Sequence, residues 1–141
     1  MKHHILRLGE GRDYDWSNDH IYVKAASGLS DGRVTLVEDV LKPGFLLARH
    51  SHERTTEVFY VLDGVVEFRF DDETVAVEPG ATVTVPPGVA HEVSCEAGGR
   101  LLTIFTPGGF EDYLAEMAAM TPQQSEDEGL LRELSRKYDA G

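Results

Sequence analysis

The sequence has a single cysteine, few basic residues and no long apolar segment. Cys95 alone cannot form an intramolecular disulfide, so nothing indicates a disulfide-stabilised secreted protein. No apolar run approaches the roughly 18 residues that a membrane-spanning helix needs. The 13 Lys and Arg residues are outnumbered by 25 Asp and Glu residues, and the net charge is −12. Because a polyanionic partner requires a basic surface, we expect binding neither to nucleic acid nor to a membrane. With neither a disulfide pattern nor a membrane segment, the expected location is cytoplasmic.

Short apolar runs that alternate with turn residues occupy the first three quarters of the 141-residue chain. Nine of them, rich in Val, Phe, Tyr, Thr and Ile, are predicted strands: 20–26, 33–41, 45–50, 57–62, 65–70, 74–77, 82–85, 91–96 and 101–105. Turn sequences such as Lys42-Pro43-Gly44 separate them, and no helical period interrupts the series. The pattern predicts one domain over 1–141 with an all-β, mainly antiparallel sandwich or barrel over about 20–106.

The hydrophobic period changes after Gly109. Four apolar residues follow at the spacing of one helix face: Phe110, Tyr113, Leu114 and Met117. Farther on, the segment Ser125-Glu126-Asp127-Glu128 matches a capping box ahead of a second apolar run. We therefore predict two short helices in a C-terminal extension of about 109–139.

Four potential metal ligands lie close together in the predicted β region: His50, His52, Glu57 and His91. Side chains alternate along a strand, so the first two histidines face one side, with Leu46 and Ala48 beside them. If the next strand pairs with theirs, Glu57 can approach both imidazoles. Isolated histidines on an apolar face are more often hydrogen-bonded core residues, but three imidazoles with a carboxylate suit a divalent first-row metal.

Two segments resemble the two motifs of the cupin family. The first motif is glycine, five residues, His-x-His, three or four residues, Glu, six residues and glycine. The sequence Gly44-FLLAR-His50-Ser51-His52-ERTT-Glu57-VFYVLD-Gly64 fits every fixed position. The second motif is glycine, five residues, Pro-x-Gly, two residues, His, three residues and Asn. The sequence Gly80-ATVTV-Pro86-Pro87-Gly88-VA-His91-EVS-Cys95 departs from it only at the end, where Cys95 replaces Asn.

The resemblance implies a jelly-roll barrel, or double-stranded β-helix, with one divalent transition metal held by His50, His52, Glu57 and His91. Four protein ligands on an octahedral ion leave two positions for water, dioxygen or substrate. Fe(II) is favoured, and Zn, Mn, Ni, Co or Cu are alternatives. Small cupins commonly pair, so a homodimer is expected, with the strands between Ile21 and Val40 contributing to the interface.

The surroundings of the motifs resemble the quercetin-dioxygenase-like branch of small cupins. In that branch the ligating Glu can also take the substrate's hydroxyl proton, so Glu57 is the candidate catalytic base and would need a raised pKa. The implied function is a metal-dependent oxygenase that acts on an aromatic or polyketide-like small molecule. A non-redox polyketide cyclase or isomerase and a non-catalytic binding protein are the alternatives, because the fold hosts many chemistries.

Six residues are candidates for the lining of a substrate pocket: Leu46, Ala48, Phe59, Phe68, Cys95 and Phe105. Cys95 is the departure from the family motif, and strand parity places its thiol on the same face as His91. Most free cysteines are small buried hydrophobic residues, and that is the first interpretation here. A fifth ligand or a thiol that faces the substrate are the alternatives.

Overall fold

The computed structural model describes residues 2–141. Its strands are β1 (Asp13–Asp15), β2 (Asp19–Ala25), β3 (Thr35–Leu41), β4 (Phe45–His50), β5 (Thr56–Asp63), β6 (Val66–Arg69), β7 (Thr74–Val77), β8 (Thr82–Val85), β9 (His91–Cys95) and β10 (Gly99–Thr106). A six-stranded sheet has the order β1-β2-β3-β10-β5-β8, and a four-stranded sheet has the order β4-β9-β6-β7. The strand pairs are antiparallel. The predicted all-β, mainly antiparallel fold is therefore confirmed.

One strand was not predicted. β1 has only three residues, Asp-Tyr-Asp, and its composition carries none of the β-branched enrichment that marks a strand. It forms because it pairs with β2 at the edge of the larger sheet, in register from Asp13 opposite Tyr22 to Asp15 opposite His20. Tertiary pairing here overrides local propensity.

The core lies between the two sheets, because alternate residues of both sheets point inward. Phe59, Val61 and Leu101 from the larger sheet pack in one cluster with Val66 and Phe68 from the smaller sheet. All five are at most 3% exposed. Strand parity therefore decides which side chains enter the interior, where the candidate ligands also lie.

Three C-terminal helices are present where two were predicted: α1 (Phe110–Ala118), α2 (Pro122–Ser125) and α3 (Glu128–Tyr138). The predicted capping box is wrong, because Ser125 is the last residue of α2. The N-cap of α3 is instead Asp127, whose side chain accepts a hydrogen bond from the N–H of Leu130. A capping box does occur one helix earlier, between Thr121 and Gln124.

Helix α1 covers part of the inner face of the six-stranded sheet. Leu114 packs against a second apolar cluster that includes Ile21, Val37 and Phe105. The buried carboxylate of Glu111 accepts hydrogen bonds from the N–H of Ser27 at 2.6 Å and from the hydroxyl of Thr35 in β3. These contacts fix the helix beside the candidate metal ligands. Within residues 2–141, no helix is long and apolar enough to cross a membrane.

Candidate metal centre and its cavity

The four predicted ligands meet inside the fold. His50 ends β4, His91 begins β9, Glu57 lies in β5, and His52 lies in the loop between β4 and β5. One ligand atom from each residue lies within 4.8 Å of the others. Glu57 Oε1 is 3.0 Å from Nε2 of His91 and 3.2 Å from Nε2 of His52. Three of the four side chains are buried, and His50 is half-buried.

Backbone carbonyls fix the orientation of all three imidazoles. Each Nδ1 contacts one carbonyl oxygen: His50 with Ala48 at 2.8 Å, His52 with Asp139 at 2.6 Å, and His91 with Val89 at 3.0 Å. A carbonyl can only accept, so each Nδ1 carries the proton and donates it. This leaves Nε2 of each imidazole as the atom that would bind a metal ion, and Nε2 of His52 and of His91 lies against Glu57 Oε1.

This donor set fits a divalent first-row ion. Imidazole nitrogens and a carboxylate oxygen are the ligands that such ions accept in proteins. Ligand atoms on opposite sides of an ion with bonds of about 2.1 Å lie about 4.2 Å apart. Every pair of ligand atoms here lies within 4.8 Å, so small side-chain movements would complete the coordination.

Neighbouring charges and burial shift the pKa values of the ligands in opposite directions. Burial alone would raise the pKa of Glu57, but hydrogen bonds from His52 and His91 outweigh it, and the net pKa is lowered. The raised pKa expected for a catalytic Glu57 is therefore not found, because the expectation counted the apolar pocket and not the two imidazoles. Burial lowers the pKa of His50, which favours the neutral imidazole that binds metals.

The segment after α3 packs against the metal centre. The carboxylate of Asp139 accepts hydrogen bonds from the N–H groups of Glu53, Arg54 and Thr55 at 2.6, 2.8 and 2.9 Å. Gly141 lies against His50, where an added Cβ would be 2.8 Å from the histidine Cβ. The loop that carries His52 is therefore held from outside the β region, which sequence reasoning did not anticipate.

A cavity of about 430 Å³ adjoins the ligands. Its lining is mostly apolar and includes Phe59, Phe105 and Ala48, as predicted for the substrate pocket. Aromatic residues outside the two motifs also line it: Trp16, Phe110 and Tyr113. Tyr113 and Phe110 come from α1, so the helical extension forms one wall of the cavity.

Three predicted pocket residues lie elsewhere. Leu46 is 52% exposed, because β4 contains one extra residue between Leu47 and His50 relative to β9, and this bulge reverses the parity assumed from the sequence. Phe68 and Cys95 are buried in the core and are absent from the cavity lining. The Cys95 thiol donates to the carbonyl of Val65 at 3.3 Å, so it is a packed core residue.

Two buried aspartates in the cavity wall were missed, Asp19 and Asp39. Asp39 Oδ2 accepts a hydrogen bond of 2.8 Å from Thr103 Oγ1. The sequence did contain a signal, because Asp39 stands at the same strand parity as the apolar residues Val37 and Leu41.

The sequence profile of the cupin domain matches residues 37–105, a range that contains all four candidate ligands. The chain belongs to the cupin superfamily. A quercetin 2,3-dioxygenase from Bacillus subtilis (strain 168) is 28% identical over 112 residues, which cover 78% of this chain and 33% of that protein. The chain therefore spans about a third of the length of that relative.

Solved structures agree on the fold. A cupin from Shewanella frigidimarina NCIMB 400, described as RmlC-like, aligns with a TM-score of 0.69 and 23% identity, covering 79% of this chain and 96% of that one. An ectoine synthase from P. lautus aligns with a TM-score of 0.69 and 16% identity, covering 81% and 86%. Both similarities place this cupin's two sheets in the jelly-roll arrangement.

Proposed function

We propose that this cupin is a metal-dependent oxygenase that acts on a hydroxylated aromatic or polyketide-like small molecule. The observation that carries the proposal is the position of the ligand set at the wall of an apolar cavity. Structural metal sites are closed, whereas catalytic sites keep an open position beside space for a substrate. The similarity to a quercetin 2,3-dioxygenase supports both the oxygenase chemistry and the aromatic substrate.

His50, His52 and His91 would hold the ion through Nε2, and Glu57 would complete the set. When bound, a redox-active ion such as Fe(II) would supply the ability to react with dioxygen, which redox-inert Zn²⁺ cannot. We assign to Glu57 the removal of the substrate's hydroxyl proton. Its lowered pKa keeps the carboxylate ionised and able to accept a proton, although it makes Glu57 a weaker base than the sequence suggested.

The walls of the cavity would orient the substrate and exclude water. A volume of about 430 Å³ lies within the range of small-molecule sites, roughly 300–1,000 Å³. The rings of Phe59, Phe105 and Trp16 offer flat apolar surfaces to an aromatic ligand. These residues would bind and position the substrate, while the ligand set carries the chemistry.

The test is metal analysis followed by oxygen consumption. The protein is purified without chelator, its metal content is measured, and oxygen uptake is recorded with quercetin, other flavonols and linear polyketides. We expect about one divalent ion per chain and uptake that depends on Fe(II) or another redox-active ion. The His50→Ala/His91→Ala double variant is the matched control and should take up no oxygen. Substrate turnover with zinc and no oxygen uptake would instead identify a cyclase or isomerase.

A further inference from the structure

The cavity has a second polar site, formed by Asp19 and Asp39. Asp19 begins β2, and Asp39 in β3 pairs with Ile21, two residues away on the same inner face. The two residues are 6% and 9% exposed, and both line the cavity. Thr103 Oγ1 donates to Asp39 Oδ2 at 2.8 Å, whereas Asp19 Oδ1 is buried without a hydrogen-bond partner among residues 2–141.

Two ionised carboxylates cannot share such a site, because their repulsion and their burial both disfavour a second charge. Lys42, a nearby cation, is bound to Asp15 Oδ1 at 2.5 Å and to the carbonyl of Trp16. Burial, followed by the charge of Asp39, raises the pKa of Asp19 to about 9. Asp19 therefore keeps its proton, and the carboxylate of Asp39, which Thr103 holds in place, is the acceptor that the pair offers to a ligand.

Packing does not account for this pair. Buried polar groups in proteins are normally fully hydrogen-bonded, and an unsatisfied one costs stability. The neighbours on the same inner face are Ile21, Val37 and Leu41, and an apolar residue would fill the same space without that cost. Ligand sites, by contrast, combine apolar walls with a few polar groups that fix the ligand's orientation.

The pair and the metal centre lie at separate parts of one cavity. Glu57 pairs with Phe105 in β10, and Asp39 pairs with Leu101 in the same strand. Glu57 and Asp39 therefore lie two strands apart across the sheet and four residues apart along it, which corresponds to about 16 Å between their Cα atoms. Their side chains both face the cavity, so a ligand with two linked aromatic rings can extend from one toward the other.

We infer that Asp19 and Asp39 form a recognition site for the hydroxyl group of a planar aromatic ligand whose rings fill the cavity. The hydroxyl donates to the charged carboxylate, and Thr103 holds Asp39 in place. A neutral donor is favoured over a cation because the surrounding apolar wall would strip a cation of its hydration. The inference shares its cavity with the proposed function, but it concerns binding and needs no turnover.

The test compares 4-phenylphenol with 4-methoxybiphenyl, which has the same rings and no hydroxyl donor. Binding is followed by calorimetry and by quenching of Trp16, which lines the cavity and is the only tryptophan. We expect the phenol to bind roughly tenfold to a hundredfold more tightly, as for a hydrogen bond to a charged acceptor. Asp39→Val and Asp19→Val should reduce this preference to about twofold or less and leave binding of the ether unchanged.

Three controls decide the outcome. Glu38→Gln alters the neighbouring carboxylate, which pairs with Arg100 outside the cavity lining, and should keep the full preference. If the valine variants fail to fold, the nearly isosteric Asp39→Asn takes their place, and it should lose part of the preference. The preference must also survive chelation of metal. Equal binding of the two compounds by the unmodified protein, binding of neither, or a preference that disappears on chelation would each overturn the inference, whatever the oxygenase assay shows.

Discussion

Nδ1 of His52 donates a hydrogen bond of 2.6 Å to the backbone carbonyl of Asp139. This contact joins a candidate metal ligand in the β region to the residue that follows α3. The Asp139 carboxylate strengthens the junction, because it binds three consecutive N–H groups of the loop after His52. One residue therefore joins the helical extension both to a candidate metal ligand and to the loop that carries it.

Replacement of that carboxylate should weaken both stability and metal binding. In Asp139→Asn the charge is lost, while asparagine still tolerates the left-handed backbone at φ 55°. We expect the free energy of unfolding to fall by about 1–3 kcal/mol and metal affinity to fall by about tenfold. Thermal unfolding and competition with a chelator measure the two effects.

The matched control is Glu133→Gln, which removes an exposed carboxylate from α3. It should change neither quantity. The coupling would be refuted if Asp139→Asn lost stability but bound metal with unchanged affinity, because the loop would then not depend on α3 to position His52.

Removal of the imidazoles should remove the metal. His50→Ala and His91→Ala should each abolish stoichiometric binding of a divalent ion, because each removes an inward-facing Nε2. A folded β protein should remain, as measured by circular dichroism. Elemental analysis gives the metal content, with His20→Ala as a control, since this histidine binds Asp13 and not the cluster. Full occupancy in the double variant would contradict the ligand assignment.

Strand alternation and the two motifs together predicted the members of the metal cluster, but not how the chain brings them together. His52 lies in a loop, and the strand of Glu57 does not pair with β4, because the two strands belong to different sheets. Strand alternation failed for Leu46, because a bulge in β4 inserts one residue before His50 and exchanges the two faces of the strand. No local pattern reveals such an insertion, since it appears only when β4 is paired with β9. The His-x-His spacing was unaffected because it lies beyond the irregularity.

Contacts between distant parts of the chain could not be predicted from the sequence. Asp139 and the loop at Glu53 are separated by 86 residues, and no spacing rule joins them. The same holds for Glu111, which binds Ser27 across 84 residues. Asp39 differs, because its parity with Val37 and Leu41 placed a carboxylate on a buried face.

Substitution of Glu57 should separate its role as a ligand from its role as a base. Glu57→Gln keeps an oxygen donor of similar size but loses basicity, so metal affinity should fall only modestly while three imidazoles remain. Turnover should fall by roughly 10²–10⁴ if the carboxylate takes the substrate's proton. The loss should appear in kcat. A fully metallated variant with unchanged turnover would show that another group accepts the proton.

Assembly remains a prediction. We expect a homodimer, with the strands between Ile21 and Val40 at the interface, because small cupins commonly pair. The outer face of these strands includes the ion pair of Glu38 with Arg100, whose N–O distance is 2.6 Å. Light scattering at micromolar concentrations measures the mass, and a monomer throughout would contradict the prediction.

The aspartate pair should make stability depend on pH. Native Asp19 keeps its proton up to about pH 9, whereas an unfolded aspartate loses it near 3.8. Between these values the native state binds more protons than the unfolded state. This contribution to the free energy of unfolding is therefore complete below pH 3.8 and decreases as pH rises toward 9. Asp39 adds to the effect, Lys42 opposes it, and the charges of Glu57 and Glu38 act on Asp39 in the same sense.

Asp19→Asn should remove this dependence, because an asparagine amide stays neutral across this range of pH. We expect the variant to match the unmodified protein near pH 4 and to exceed its free energy of unfolding by about 1–3 kcal/mol at pH 8. Chemical denaturation from pH 4 to 9 measures the difference, and Asp72→Asn at an exposed position is the control. A variant whose stability follows the same pH profile as the unmodified protein would show that Asp19 does not hold the proton. If the variant gains stability and also loses phenol binding, the aspartate pair lowers the stability of the fold and is retained for ligand binding.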